Sequence, residues 1–270
     1  MERGMKIFSL FNMSGGVGKS TLTMNLAFHL QRELGLRTLA IDMDPQASLT
    51  TFMGLDPFES RSSLLESLIQ GVPLNIVRAD SLWCDLVPAN IYLSQAELQL
   101  SALMRREYRL SEAILGARGY EVVLIDCPPS LGMLSINCLV ATDFLIVPTQ
   151  TEYKSIEATT NLLQVTLDLS RQANGALKVF GAIPTMYDER TQQARRALEA
   201  ITLLFEQMKG SGQFGDCFAL AKVFEPIPRR VDFSNAQERH LPLGLYAPRH
   251  PALVPLRGLS RGIAEVVKGE

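Results

Sequence analysis

Three glycines, a lysine and two serines stand close together in Ser14-Gly15-Gly16-Val17-Gly18-Lys19-Ser20-Thr21, the segment of this 270-residue chain best suited to chemistry. Glycine lets consecutive backbone N–H groups turn inward around an anion, because it has no Cβ to forbid the conformations required. Lys19 offers a point charge to the β- and γ-phosphates of a nucleotide, and the Ser20 hydroxyl is placed to hold Mg²⁺. A short apolar run, Lys6 to Phe11, precedes the loop, and an amphipathic stretch, Leu22 to Leu34, follows it. In a strand–loop–helix of this kind the helix N-terminus faces a polyphosphate. The expected ligand is ATP, held by Ser14, Gly15, Gly16, Val17, Gly18, Lys19, Ser20 and Thr21. The plain alternative is a glycine-rich turn with no ligand.

Two further segments end in acids. Thr38-Leu39-Ala40-Ile41-Asp42-Met43-Asp44-Pro45-Gln46 is an apolar strand closing on two carboxylates. Their two-residue spacing puts both on one side of an extended chain. Tyr120-Glu121-Val122-Val123-Leu124-Ile125-Asp126 closes on a single acid. An aspartate there suits Mg²⁺, a small hard cation that prefers oxygen ligands and keeps part of its water. Turn or helix-cap roles are the ordinary alternative for any one aspartate.

These residues need a scaffold, and the apolar patterning supplies one. Strands are expected near Lys6–Phe11, Thr38–Asp42, Cys84–Pro88, Val122–Asp126, Phe144–Pro148, Val179–Pro184 and Lys222–Phe224. Helices are expected near Lys19–Leu34, Leu64–Gln70, Ser94–Ala117, Leu131–Ala141, Ser155–Gln172, Thr191–Met208 and Pro251–Val267. Strands that are apolar throughout and alternate with helices predict an α/β fold, a mostly parallel twisted sheet with helices on both faces. Ligands of such sheets sit at the carboxyl ends of the strands, where the glycine loop, Asp42 and Asp126 all fall.

Composition narrows the classes further. Hydrophobic residues make up 47% and charged residues 20%, which suits one large globular domain. No run approaches the roughly 18 apolar residues of a membrane span, and the N-terminal apolar stretch is too short for a signal peptide. Cys84, Cys127, Cys138 and Cys217 have no metal-ligand spacing, and His29, His240 and His250 form no ligand set. The net charge is −2; residues 151–270 hold 15 Lys and Arg against 13 Asp and Glu, so any basic face is modest.

The loop departs from G-x-x-x-x-G-K-[ST], because Met13 stands where that pattern has its first glycine. It resembles instead the deviant Walker A loop, x-K-G-G-x-G-K-[ST], of the ParA and MinD ATPases. The resemblance narrows to the ParA/Soj branch over nearly the full length. It is carried by Asp42-Met43-Asp44-Pro45-Gln46, Asp126-Cys127-Pro128-Pro129-Ser130, Pro148-Thr149-Gln150-Thr151-Glu152-Tyr153, Thr185-Met186-Tyr187-Asp188-Glu189-Arg190-Thr191 and Ile227-Pro228-Arg229. It implies a single ParA-like P-loop domain over residues 1–270, an ATPase using ATP and Mg²⁺. On the same ground Ser20, Asp42 and Asp126 are assigned to the magnesium shell and Asp44 to orienting the attacking water. Met186, Pro226 and Pro228 are assigned to flanking the adenine, although their loops could be plain connections.

One position breaks the family pattern. The signature lysine, which in the family reaches across a dimer to the partner's ATP, is replaced here by Ser14. Lys154 follows Glu152-Tyr153 where the family usually has an apolar or aromatic residue, so it is a candidate replacement in catalysis, with a solvated helix-start lysine as the alternative.

The resemblance further implies an ATP-dependent homodimer that binds nucleoid DNA nonspecifically. An adaptor resembling ParB or McdB would release it by stimulating hydrolysis. Arg190, Arg195, Arg196, Arg229 and Arg230 are the candidate DNA contacts, with ion pairs to Glu189, Glu199 or Glu225 as the competing role. Such a cycle implies a cytoplasmic, nucleoid-associated protein with no membrane partner, positioning a carboxysome, plasmid or chromosome locus. The missing lysine is similar to the carboxysome-positioning McdA branch. A MinD-like membrane ATPase is the alternative, but Gly258 and Gly262 interrupt the tail that would serve as its membrane helix. A redox ATPase like nitrogenase iron protein would need two loop cysteines in glycine-rich surroundings, which this chain lacks.

Overall fold

Seven apolar runs pair edge to edge in the computed structural model, which describes residues 4–58, 64–78, 83–152, 154–212 and 214–269. They are β1 (Lys6–Leu10), β2 (Thr38–Asp42), β3 (Asp85–Val87), β4 (Val122–Asp126), β5 (Phe144–Gln150), β6 (Lys178–Thr185) and β7 (Lys222–Val223). Their spatial order is β3-β2-β4-β1-β5-β6-β7, and every neighbouring pair is parallel. Each expected strand is present, and the sheet is parallel throughout.

The connections are α1 (Lys19–Phe28), α2 (Ser48–Phe52), α3 (Leu64–Gln70), α4 (Ala96–Ser101), α5 (Arg109–Ile114), α6 (Met133–Ala141), α7 (Lys154–Gln172), α8 (Gln192–Gly210), α9 (Asp232–Glu238), α10 (Leu243–Tyr246) and α11 (Leu253–Lys268). A π turn, His29–Glu33, extends α1. Strand alternation divides the core in two. Ile7, Ile41, Val123 and Leu145 pack with Leu68, Leu110, Leu134 and Leu162 on one face. Phe8, Leu10, Leu124 and Ile146 pack with Leu22, Leu26, Leu256 and Ile263 on the other. With both faces covered, neither side of a central strand meets water, which is why β2 and β4 are buried at every position.

Three helices escape the sequence pattern, and one expected helix is broken. The helix expected over Ser94–Ala117 is two short ones, α4 and α5, separated by a turn in which Arg105 has φ +53°. Asn137 on α6 holds that break open. Its amide donates to the carbonyls of Arg106 and Met133, each at 2.9 Å, and its carbonyl accepts from the Leu110 N–H at 3.1 Å. A buried side chain thus satisfies backbone groups that a continuous helix would pair internally. Helices α2, α9 and α10 were not expected. Each is seven residues or shorter, and Ala236 is the only buried residue of α9, so neither length nor periodicity announces it.

The positioning consequence is simple. The strand order reverses on either side of β1, so the crevice beyond its carboxyl end opens between β4 and β5. The glycine loop follows β1 directly. We expect Asn137→Ala to lower the unfolding free energy by about 1–3 kcal/mol in a denaturant titration, because three bonds are lost and buried groups are left unpaired.

Candidate nucleotide-binding site

The loop between β1 and α1 is shaped by two left-handed glycines. Gly16 has φ +73° and Gly18 φ +90°, and a Cβ built on either would meet nothing within 4 Å. Glycine is therefore required by backbone conformation and not by space. Helix α1 starts with no side-chain cap and no acidic residue in its first turn, so its leading N–H groups and the positive end of its dipole face the loop undiluted. That is the environment an anion needs.

Side chains tie the loop to the sheet. Asn12 donates to the Pro148 carbonyl at 2.7 Å and accepts from the Ser14 N–H at 2.8 Å. Gln150 donates to the Gly16 carbonyl at 3.1 Å, and the Thr185 hydroxyl donates to the Val17 carbonyl at 3.0 Å. Lys19 is buried, with its ammonium donating to the Asn12 and Ser14 carbonyls at 3.2 and 3.1 Å. Burial lowers the Lys19 pKa, and the nearby charges of Asp126, Cys127 and Asp44 oppose that shift. Ser14 takes part only through its backbone, since no bond to its hydroxyl occurs among the described residues.

The acids sit alongside. Asp42 and Asp126 are register partners at the ends of β2 and β4, and both are fully buried. Asp42 is well satisfied: it accepts from the Asp44 N–H at 3.1 Å, the Thr50 N–H at 2.8 Å and the Thr50 hydroxyl at 2.7 Å. Burial nevertheless pushes its carboxyl up to about 7, against those bonds. Asp126 differs, because neither of its oxygens has a hydrogen-bond partner among the described residues. Burial and then the Asp42 charge raise its pKa well above the usual carboxylate range, with Ser20 and Lys19 pulling the other way. A buried acid without partners, beside a serine hydroxyl, fits a cation that brings its own water. No cluster of three His, Cys, Asp or Glu forms a metal cage among the described residues. Mg²⁺ held through the strand-end acids, a serine and substrate phosphates needs none. Asp44 is 9% exposed, accepts from the Gln46 N–H at 2.9 Å and faces the cleft.

The cleft itself encloses about 420 Å³ over residues 15–21, Asp44 and Pro129. Its far wall joins two distant segments, through Tyr187 N–H to the Ile227 carbonyl at 3.0 Å and Arg229 N–H to the Tyr187 carbonyl at 3.1 Å. Met186 and Pro228 line this cleft, whereas Pro226 lines an adjacent one with Tyr187 and Asp188. Met186 holds φ +52°, a strained value for a side chain of its size.

The arginines separate. Arg229 and Arg230 line the nucleotide cleft, and Arg190 is paired with Asp188 at 2.8 Å. Arg195 and Arg196 lie exposed on α8 and make no ion pair among the described residues. Lys154 opens α7 just past the end of β5, but its side chain lies outside the described residues, as does Tyr153. Sequence reasoning missed Thr50, Gln150, Thr185 and Gln237. Gln237 comes from α9 and donates to the Thr21 hydroxyl at 2.6 Å. Gln150 and Thr185 carried a signal, each being inside a motif already noted.

A phosphate loop, a lysine and two strand-end acids on a parallel sheet define a P-loop ATPase site. Comparison with known proteins agrees. Residues 5–179 match the family described as an AAA domain. The sporulation initiation inhibitor protein Soj of Bacillus subtilis is 33% identical over 248 residues, which are 90% of this chain and 92% of Soj. The cobyrinic acid a,c-diamide synthase of Mycobacterium smegmatis, solved with ADP and magnesium, aligns with TM-score 0.80 and 31% identity over 98% of this chain and 96% of that one. Apo McdA of Cyanothece aligns with TM-score 0.82 over 96% and 99% of the chains, but at 21% identity it speaks for the fold alone. The chain belongs to the ParA/MinD superfamily of ATPases.

An apolar burial with this electrostatic cost should be measurable. The folded-state pKa of Asp126 lies above its unfolded value near 3.8, so the nucleotide-free protein should lose stability as pH rises from about 4. We expect Asp126→Asn to raise nucleotide-free stability by about 1 kcal/mol or more at pH 8 and to flatten that slope in denaturant titrations at several pH values. The same variant should lose the extra thermal stabilisation that Mg²⁺ adds to ATP.

Proposed function

We propose that this chain is an ATP-driven positioning ATPase of the ParA/Soj kind. It closes as a dimer around ATP, binds DNA without sequence preference, and is released when an adaptor stimulates hydrolysis. The observation that carries the reading is the uncapped start of α1, opened by Lys19, beside an Asp126 that has no hydrogen-bond partner among the described residues at one sheet edge. Relatives of this superfamily are partition and positioning ATPases, and this chain is an ATPase with ATP and Mg²⁺ as its cofactors.

Each residue has a task in that reaction. The backbone of residues 15–19 and the Lys19 ammonium bind and orient the phosphates, which is most of what phosphoryl transfer asks of a protein. Ser20, Asp126 and Asp42 would hold the magnesium, Asp42 from the next strand, where Thr50 already bonds it, and the cation would relieve the repulsion between the two acids. Bound Mg²⁺ would supply neutralisation of the charge that develops on the phosphate oxygens. Asp44 would orient the attacking water, and Met186 and Pro228 would flank the base. Lys154 would serve from the partner subunit in place of the lysine that Ser14 replaces. Its place at the carboxyl edge of the sheet supports this.

The cargo, whether carboxysome, plasmid or chromosome locus, belongs to the adaptor. The absent signature lysine, together with Lys154, favours the McdA-like branch. Arg195 and Arg196, exposed and without an ion pair among the described residues, support DNA contact more than Arg190, which Asp188 occupies, or Arg229 and Arg230, which line the nucleotide cleft. Against the MinD-like alternative stands α11, whose Leu253, Leu256, Leu259 and Ile263 are buried in the core and unavailable to a bilayer.

We expect light scattering to show an ATP-dependent dimer that Lys154→Ala weakens while leaving monomer binding of ATP intact; a dimer unchanged in that variant removes the role given to Lys154. Asp44→Ala should bind ATP but hydrolyse it about 100-fold more slowly. Arg195→Glu with Arg196→Glu should abolish salt-sensitive sedimentation with random-sequence DNA and leave ATP turnover in place. Pelleting with liposomes, and not with DNA, would favour the MinD-like reading.

A further inference from the structure

At the opposite, amino-terminal edge of the sheet a second cleft of about 490 Å³ is lined by Arg32, Arg37, Arg78 and Arg118 with Trp83 and Tyr120. Arg37 immediately precedes β2, Tyr120 lies just before β4, and Asp85 opens β3, so the cleft lies across the strand beginnings. It is as roomy as the nucleotide cleft, at about 490 against 420 Å³. Both volumes fall in the range of small-molecule sites.

Four guanidinium groups around one concavity are unusual in a chain of net charge −2. Carboxylates oppose at least two of them. Asp85 pairs with Arg78 at 3.1 Å and Glu121 with Arg37 at 3.5 Å, and those arginine side chains are 67% and 65% exposed. Open ion pairs of this kind add little stability and exchange readily for a stronger anion. Arg118 is exposed and has no ion pair among the described residues.

The cluster is also held in position. Arg78 donates through Nε to Asp85 and through Nη2 to the Tyr120 hydroxyl at 3.3 Å, and that hydroxyl donates to Asp85 at 2.5 Å. A guanidinium fixed along one edge keeps its remaining N–H groups for a ligand and has less freedom to lose on binding. A separate observation comes from Trp83. It is 4% exposed, and its buried indole N–H has no hydrogen-bond partner among the described residues. Trp83 thus gives the cleft a largely buried aromatic wall.

We infer that this cleft binds a small oligophosphate anion, a site separate from the nucleotide cleft. Guanidinium forks match phosphate oxygens two at a time, and several arginines around one concavity suit several linked phosphates. The extended first helix joins the two sites, with Lys19 at its start and Arg32 in its closing π turn.

The probe is sodium tripolyphosphate, titrated calorimetrically into the whole chain without magnesium. Wild type should show two sites. Lys19→Ala should keep the arginine-lined one, and Arg78→Ala with Arg118→Ala should keep the other while weakening the arginine-lined site at least tenfold. Arg249→Ala with Arg261→Ala removes the same charge from exposed positions elsewhere and should change neither. The inference is overturned if Arg78→Ala with Arg118→Ala leaves tripolyphosphate binding unaltered, or if the control pair weakens it equally. It is overturned as well if Arg78 and Arg118 affect only a short duplex DNA. A wild type that shows only the arginine-lined site would count against the ATPase reading and leave this one standing.

Discussion

Asp126 ends its strand fully buried, with no hydrogen-bond partner for either oxygen among the described residues and with Asp42 opposite it on the neighbouring strand. Folding alone would never select that arrangement, because an unpaired buried carboxylate costs several kcal/mol, or else takes up a proton. The rest of the site is arranged around this unmet demand. Thr50 quiets Asp42, Lys19 lies close enough to temper the negative charge, and Ser20 adds an oxygen at the same place. A cation arriving with a polyphosphate would answer the demand and lend its binding energy to the closed state.

The same trade appears in the backbone. Gly16, Gly18 and Met186 all hold left-handed conformations within one cleft, and the loop is kept there by Asn12, Gln150 and Thr185 reaching from strands or their ends. These ties run to strand ends buried in the sheet, so the loop inherits the rigidity of the two cores. Preorganised N–H donors need little rearrangement when charge develops on a phosphate. The cost sits in strained residues and buried charge, and two packed faces of a parallel sheet are able to carry it.

Much of this was legible in the residues. Apolar strands closing on acids, and glycines ahead of Lys19, reflect constraints local enough to show in a few residues, and all seven strands fall where the pattern put them. What stayed hidden depended on distant partners. The break between α4 and α5 rests on Asn137, some thirty residues further along the chain. Helix α9 delivers Gln237 to Thr21 but buries too little apolar surface to show a period. Arg229 and Arg230, candidate DNA contacts by resemblance and charge, also line the nucleotide cleft, because β6 and the segment after β7 are zipped together. Charge shows in sequence; the direction it faces does not.

Calorimetric titration of the wild-type protein with ATP, with magnesium and again with excess chelator, bears most directly on the role given to Asp126. The account predicts one nucleotide per chain, with affinity falling at least tenfold when the metal is removed. Equal affinity in the two titrations, or none in either, would contradict it.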